Sequence, residues 1–222
     1  MTSEVLQAFR DEAEALDHAV EKLSTDDFLR PTNCAPWNVK ELIVHVGIVL
    51  PPYPLLVADV SAPDIGETAD YYRRPERATE AYRGGIADKA VEAAADLADG
   101  AAAAQLLTER WQTAWRDWSE RDLSATIALA VGTSRLADYI VTRLISHAAH
   151  GLDLALSLGH EPWTTAPALA VMRPVFVSLL GAEPPPLWDD QGFFARATGR
   201  RALDDDDHAA LGVGADGWPL LS

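Results

Sequence analysis

Basic residues are scarce in this 222-residue chain, which has 18 Lys and Arg against 34 Asp and Glu and a formal net charge of -16. Binding to nucleic acid depends on clustered cationic side chains that displace counterions from phosphates. An anionic membrane surface would also repel a chain of this charge. The composition therefore predicts neither nucleic acid nor a membrane as a partner.

Cysteine and long apolar runs are also scarce. Cys34 is the single cysteine, so no disulfide can form within the chain, and a reducing cytoplasm is the predicted location. No base is predicted beside Cys34, and its thiol is interpreted as structural. No apolar run approaches the roughly 20 residues of a membrane span, and the first residues lack the pattern of a signal peptide. Glycines never form the phosphate-binding patterns GxGxxG or GxxxxGK[ST].

Apolar residues recur at helical spacing through most of the chain, which predicts an all-α protein. Segment 52–75 is expected to be an irregular crossing, and 123–131 an extended link. The predicted helices cover residues 3–23, about 38–50, 76–98, 101–119 and 135–158.

The helix predicted over 135–158 is apolar almost all round, which is typical of the central helix of a bundle. Gly159 follows it as the expected terminating residue. Shorter helical patterns follow to the end of the sequence. We therefore predict a helical bundle over residues 1–160, the candidate metal-binding domain, and a small helical extension over 161–222.

The stretch TRLISHAAHGLD carries the clearest candidate chemistry. At about 100° per residue, His147 and His150 lie about 60° apart on a helix, and Ser146 and His150 about 40° apart. A metal ion would need a further ligand, and His45 lies on an inward-facing stripe of its own helix. Asp153 could accept a hydrogen bond from an imidazole ring. The alternative to a metal site is that these histidines are core residues, each held by a hydrogen bond.

Two motifs resemble those of the mycothiol-dependent maleylpyruvate isomerase family, within the DinB-like superfamily. NCAPWNVKELIVHV is similar to the family's first signature, a Cys-x-x-Trp stretch before a helix with an inward histidine. TRLISHAAHGLDLALSLG is similar to the second, Arg-x-x-Glu-x-x-x-His-Gly-x-Asp before a Leu-Gly end. YYRR and the closing FFARATGRRALDDDDHAALGVGADGWPLLS also resemble shorter members, so the likeness spans nearly the whole chain.

The resemblance implies a DinB-like four-helix bundle that holds a divalent metal, zinc or nickel, through His, Glu and His. It also implies mycothiol as a cosubstrate or nucleophile, in isomerisation or sulfur transfer. His45 and His150 match the two histidine ligands, Asp153 the acid after the second histidine, and Arg143 the leading arginine.

The chain departs from the second signature at position 146, where the family's glutamate is Ser146. A hydroxyl brings no charge to a metal, and zinc sites are normally built from Cys, His, Asp or Glu. His147 could take the vacant place by swinging round one helical position. We expect His147 to be the working group here, as a ligand or a base, with Ser146 as the other candidate for the third contact.

These observations predict a metal- and mycothiol-dependent enzyme, an isomerase or S-transferase acting on a small electrophilic metabolite. His147, Asp153 and Arg143 are its candidate catalytic residues. Two alternatives stay open at this point. One is a metal-free binding or accessory protein that keeps the bundle, and the other is an enzyme of secondary metabolism with His147 as its general base. A homodimer is also left open.

Overall fold

The computed structural model describes residues 2–50, 64–129 and 132–221. The chain is mostly helical, which confirms the predicted all-α class. The helices are α1 (Thr2–Val20), α2 (Val39–Ile48), α3 (Thr68–Arg73), α4 (Glu80–Ala95), α5 (Gly100–Ser119), α6 (Leu136–Leu158), α7 (Ala166–Leu180), α8 (Asp190–Ala197) and α9 (Asp205–Leu211).

Helices α1, α2, α5 and α6 form the bundle. Helix α1 packs against α5 and α6, and α2 packs against the same two helices from the other side. Helix α4 covers α2, while α7 covers α1 and part of α6. Helix α6 is buried along most of its length, as predicted for the central helix. In the described part of the chain, no helix has the length and apolarity needed to cross a membrane.

Local signals in the sequence set the start of α2 and the end of α6, the helices that carry the paired histidines. The Asn38 side chain accepts a hydrogen bond from the Glu41 backbone N–H, and the Glu41 carboxylate accepts one from the Asn38 backbone N–H. This reciprocal cap starts α2 seven residues before His45. Gly159 ends α6 with φ +77°, a left-handed conformation that glycine adopts without strain.

Several predicted boundaries are wrong. Residues 123–131 are not a simple link, because Thr126–Leu129 pairs with Gly132–Arg135 as an antiparallel hairpin, β1 and β2. The predicted crossing 52–75 contains α3, which packs against α6 and α7; its first part, 52–63, lies outside the described residues. Both elements are too short for periodicity to reveal. Helix α3 depends on its packing against α6 and α7, and each strand of the hairpin is defined by its partner.

The C-terminal extension packs directly onto the bundle. Helix α7 lies on α1 and α6, and α8 packs on α7. Aromatic side chains fill the space between them: Phe176 meets Phe193 and Phe194, and Trp188 meets Trp218 edge-on. The division at residue 160 stays a prediction, since the two parts share one continuous hydrophobic core.

A buried acid joins α1 to the start of α7. Glu12 is 3% exposed, and its Oε2 accepts hydrogen bonds from the backbone N–H and the hydroxyl of Thr165, at 2.8 Å each. Burial raises the pKa of Glu12 from 4.5 to about 7, against the opposing effect of the Thr165 hydrogen bonds. Glu12 therefore takes up a proton on folding at mildly acidic pH.

Glu12→Gln is expected to remove a pH dependence of stability. Because the pKa of Glu12 is higher in the folded chain, its contribution to stability falls as pH rises from 4.5 to 7. Over that interval the loss should be roughly 3 kcal/mol. The amide oxygen of the substituted side chain can still accept from Thr165 without a charge, so the variant should be the more stable protein at pH 8. Urea unfolding between pH 5 and pH 8 measures the difference.

Glu14→Gln is the matched control, because Glu14 is exposed on the same helix and pairs with Arg10 at the surface. Wild type and Glu14→Gln should lose stability in parallel over this pH range. A Glu12→Gln variant with the same pH dependence as both would rule out the buried acid as its source.

Candidate functional site

Two histidines on facing helices meet near one end of the bundle. His45 on α2 and His150 on α6 have ring centroids 4.9 Å apart and ring planes nearly perpendicular, at 86°. His45 is 6% exposed, and Trp37 stacks on it with centroids 4.6 Å apart. The structure therefore brings together the two histidines that the sequence pairs, and Trp37 fixes one of the rings.

Asp153 orients the second histidine. Its Oδ2 lies 3.0 Å from Nδ1 of His150, one turn away on α6. Burial would raise the pKa of Asp153, but hydrogen bonds from His150 and Arg200, with the charge of Arg200, outweigh it and hold the pKa well below its usual range. An ionised carboxylate can only accept, so Nδ1 of His150 carries the proton. In the neutral imidazole with this tautomer, the lone pair is on Nε2 of His150, where it can serve as a ligand or an acceptor.

Arg200 completes this arrangement from the C-terminal extension. Its Nε donates to Oδ1 of Asp153 at 2.9 Å and its Nη2 to Oδ2 at 2.6 Å, a two-pronged contact to a carboxylate that is 1% exposed. Gly199, with φ +74°, turns the chain just before it. The sequence did not identify Arg200 as a site residue. Arg200 lies in the closing segment that resembles the family, but that resemblance assigned no role to it.

Cys34 contacts the same carboxylate, although no base was predicted beside it. Its Sγ donates to Oδ2 of Asp153 over 2.9 Å. Burial, followed by the negative charge of Asp153, raises the pKa of Cys34 to about 12. The thiol is therefore protonated at neutral pH and serves as a hydrogen-bond donor, as a structural cysteine would.

His147 lies deeper than the other two histidines. It is 1% exposed and packs edge-on against Phe9 of α1, with ring centroids 5.3 Å apart. Neither ring nitrogen makes a hydrogen bond of ordinary geometry to a described residue, and the same holds for Nδ1 of His45. The half-buried Ser146 occupies the helical position one turn before His150.

The buried histidines are neutral at pH 7. Burial, followed by the proximity of His150 and Arg143, lowers the pKa of His45 to about 2 and that of His147 to about 3. A neutral imidazole is the form that binds metal. These residues therefore offer nitrogen lone pairs rather than positive charge.

Arg143 on α6 places a positive charge near both buried histidines, His45 and His147. Its guanidinium lies 5.1 Å from the centroid of the Tyr139 ring and donates to the Thr142 hydroxyl at 3.1 Å. A longer contact of 3.5 Å reaches the hydroxyl of Tyr71 on α3. The half-buried arginine therefore spans from the central helix to the short helix α3, beside His45.

The geometry of His45 and His150 fits two ligands of one divalent ion. Two imidazoles bound to one tetrahedral zinc ion have ring centroids about 5 Å apart, close to the 4.9 Å between His45 and His150. The carboxylate behind His150 is the usual outer partner of a metal-bound histidine. Among the described residues, Cys34, His150 and Asp153 form a group whose candidate ligand atoms all lie within 4.8 Å of one another. In that group Asp153 is already held by Arg200, so the fit lies with the two histidines.

Side chains that project inward from facing helices are how helical bundles build ligand and metal sites, and the pairing of His45 with His150 has that arrangement. Residues 9–155 match the model of the mycothiol maleylpyruvate isomerase N-terminal domain. The chain belongs to this family. A search of curated proteins gives no match.

Solved structures give the same fold. The crystal structures of the mycothiol-dependent maleylpyruvate isomerase and of a histidine-to-alanine mutant of it each align with a TM-score of 0.51 at 16% sequence identity. Each alignment covers 83% of this chain and 74% of the other. This likeness supports the DinB-like bundle predicted from the sequence.

Proposed function

We propose that the protein is a metal- and mycothiol-dependent enzyme, an isomerase or S-transferase that acts on a small electrophilic metabolite. The observation that carries the proposal is the pairing of His45 with His150, whose Nδ1 proton is held by Asp153. Family membership and the solved relatives, which are mycothiol-dependent isomerases, support the choice of thiol and reaction class.

His45 and His150 would hold the ion. When bound, a divalent ion would supply Lewis acidity and favour the thiolate form of a thiol at neutral pH. Asp153 keeps the His150 proton on Nδ1, and Arg200 keeps Asp153 ionised. The protein's own residues thereby fix the orientation and the protonation state of the site before any ligand arrives.

The nucleophilic thiol would come from outside the chain. Cys34, the only thiol in the sequence, has a pKa of about 12 and donates a hydrogen bond to Asp153. A thiol in that state is a poor nucleophile. Arg143 provides positive charge beside His45, where it would favour an anionic or polarised substrate over a cationic one.

Removing either histidine is expected to abolish metal binding and mycothiol-dependent turnover. His45→Ala and His150→Ala each delete one of two strong ligands, so a chain that holds about one divalent ion should lose it. Elemental analysis of untagged protein measures the metal, and isomerisation of maleylpyruvate with added mycothiol is the activity assay. His18→Ala is the matched control, because His18 lies exposed on α1.

Stoichiometric metal in the double variant His45→Ala/His150→Ala would overturn the assignment of both ligands. Loss of the metal with unchanged turnover would instead show that the ion takes no part in the reaction. The melting temperature should fall with the metal in either single variant, because a ligand of the folded state stabilises it.

Ser146 favours a second candidate, a metal-free binding protein built on the same bundle. Its hydroxyl stands where the resemblance implies a carboxylate ligand, so the site lacks one negative charge. Such a protein would bind mycothiol equally well with and without a chelator. Calorimetric titration of mycothiol into untreated and chelator-treated protein distinguishes the two candidates. The structure gives less support to His147 as a general base, because a base must reach its substrate and this ring is 1% exposed.

A further inference from the structure

A second concave site lies between α1, α3, α6 and α7, and its volume is about 760 Å³. We call it the α1–α7 groove. Its floor is apolar, formed by Val5, Ala8, Val141, Val171 and Val175. Pockets of about 300–1,000 Å³ with a mainly apolar lining and a few polar groups are typical of small-molecule sites.

The groove is separate from the histidine site. Val141 in its floor and His150 are nine residues apart on α6, which places them on opposite faces of the helix. The same interval spans roughly 13 Å along the helix axis. A ligand in the groove would therefore not contact the histidine pair.

Acids dominate the rim of the groove, and the polar donors around them are already engaged. Asp138 accepts from the Thr68 hydroxyl at 3.0 Å and from Nε of Arg135 at 2.7 Å. The side-chain amide of Gln7 donates to Oδ1 of Asp11 at 2.7 Å. Glu4 already has a cationic partner, and the other charged residues of the lining, Asp11, Glu67, Asp138 and Arg135, sum to an excess of two negative charges.

The α7 wall contributes a further acceptor. Pro174 lies inside this helix and has no N–H, so the carbonyl of Ala170, four residues earlier, cannot receive its usual helical hydrogen bond. Ala170 and Pro174 both line the groove. At the far end, the Arg73 guanidinium is held by Asp70 and by the Ser178 carbonyl.

We propose that the α1–α7 groove binds a small amphipathic cation, an amine or guanidinium carried on an apolar body. The apolar floor would cover the body of the ligand. Asp11, Asp138 and the Ala170 carbonyl are acceptors that match the N–H donors and positive charge of its head. An anion of the same shape would be repelled by the acids, and the donors named above are already engaged.

Octylamine, octanol and octanoate are matched probes, since they share a chain length and differ in the charge of the head. Calorimetric titration at pH 7 should show saturable binding of octylamine at one site per chain, with octanol weaker and octanoate weakest. Asp11→Asn should weaken octylamine about two- to fivefold, as expected for one partly exposed charge. Ala170→Trp, at an exposed helical position, should fill the groove and abolish binding.

Two control variants carry the same changes outside the groove. Glu14→Gln removes an exposed acid of α1, and Ala101→Trp adds an indole to an exposed position of α5. Both should bind octylamine as the wild type does. Equal affinity for octylamine and octanoate, or octylamine binding that survives Ala170→Trp, would overturn the proposal. A dimer in sedimentation velocity that Ala170→Trp converts to monomers would also overturn it, because a second copy of the chain would then occupy the groove.

Discussion

Arg200→Met is expected to lower the free energy of unfolding by about 3 kcal/mol, at the lower end of the cost of leaving a buried charge without its partner. The Asp153 carboxylate is 1% exposed and receives both prongs of the guanidinium. Its remaining donors, His150 and Cys34, each make one hydrogen bond to it and do not replace the two-pronged contact. Urea denaturation with a fixed slope measures the loss.

Arg201→Met is the matched control, since Arg201 is the exposed neighbour of Arg200. Its free energy of unfolding should lie within about 0.5 kcal/mol of the wild-type value, as is usual for surface substitutions. The double variant Arg200→Met/Asp153→Asn should lose less than the sum of its single variants, because no buried charge is then left unpaired. Equal losses for Arg200→Met and Arg201→Met would refute the role of the contact.

Ser146→Glu is expected to tighten binding of a divalent ion by more than about tenfold, which corresponds to about 1.4 kcal/mol. Position 146 lies one helical turn before His150, so a carboxylate there would face the same region as the His150 ring. It would also restore the charge that a hydroxyl lacks. Competition titration of zinc against a chromogenic chelator measures the change in affinity.

His147→Ala should leave the metal affinity nearly unchanged, because the His147 ring packs against Phe9 rather than against His45. Ser119→Glu adds the same charge at an exposed site on α5 and should not tighten zinc binding. If His147→Ala removes the metal while Ser146→Glu adds nothing, His147 would be the third ligand. That result would support the role expected from the sequence.

Regular spacing explains why part of the candidate site was predictable. His45 and His150 each lie on an apolar helix, and the spacing of the apolar residues predicts which side of each helix faces inward. The resemblance to the family's two motifs paired the two histidines. The structure brings their rings to 4.9 Å between centroids. Asp153 was predictable as the partner of a ring nitrogen for the same reason, since it lies one turn from His150.

Contacts between distant segments explain what was missed. Arg200 is 47 residues from Asp153 and Cys34 is 119 residues away, so no local pattern relates them. Their meeting depends on how the extension and the segment before α2 pack on the bundle. The hairpin of β1 and β2 was missed because each strand is four residues long and is defined by its partner.

The Asp153 carboxylate also bears on the order in which the protein matures during synthesis. Its donors lie at positions 34, 150 and 200, so the chain delivers them at three different times. A nascent chain that has passed α6 but not Arg200 would contain the histidines and the acid without the guanidinium that compensates the buried charge. The bundle can therefore form early, as N-terminal units generally do. The histidine site is expected to reach its final electrostatic state only after residue 200 has been made.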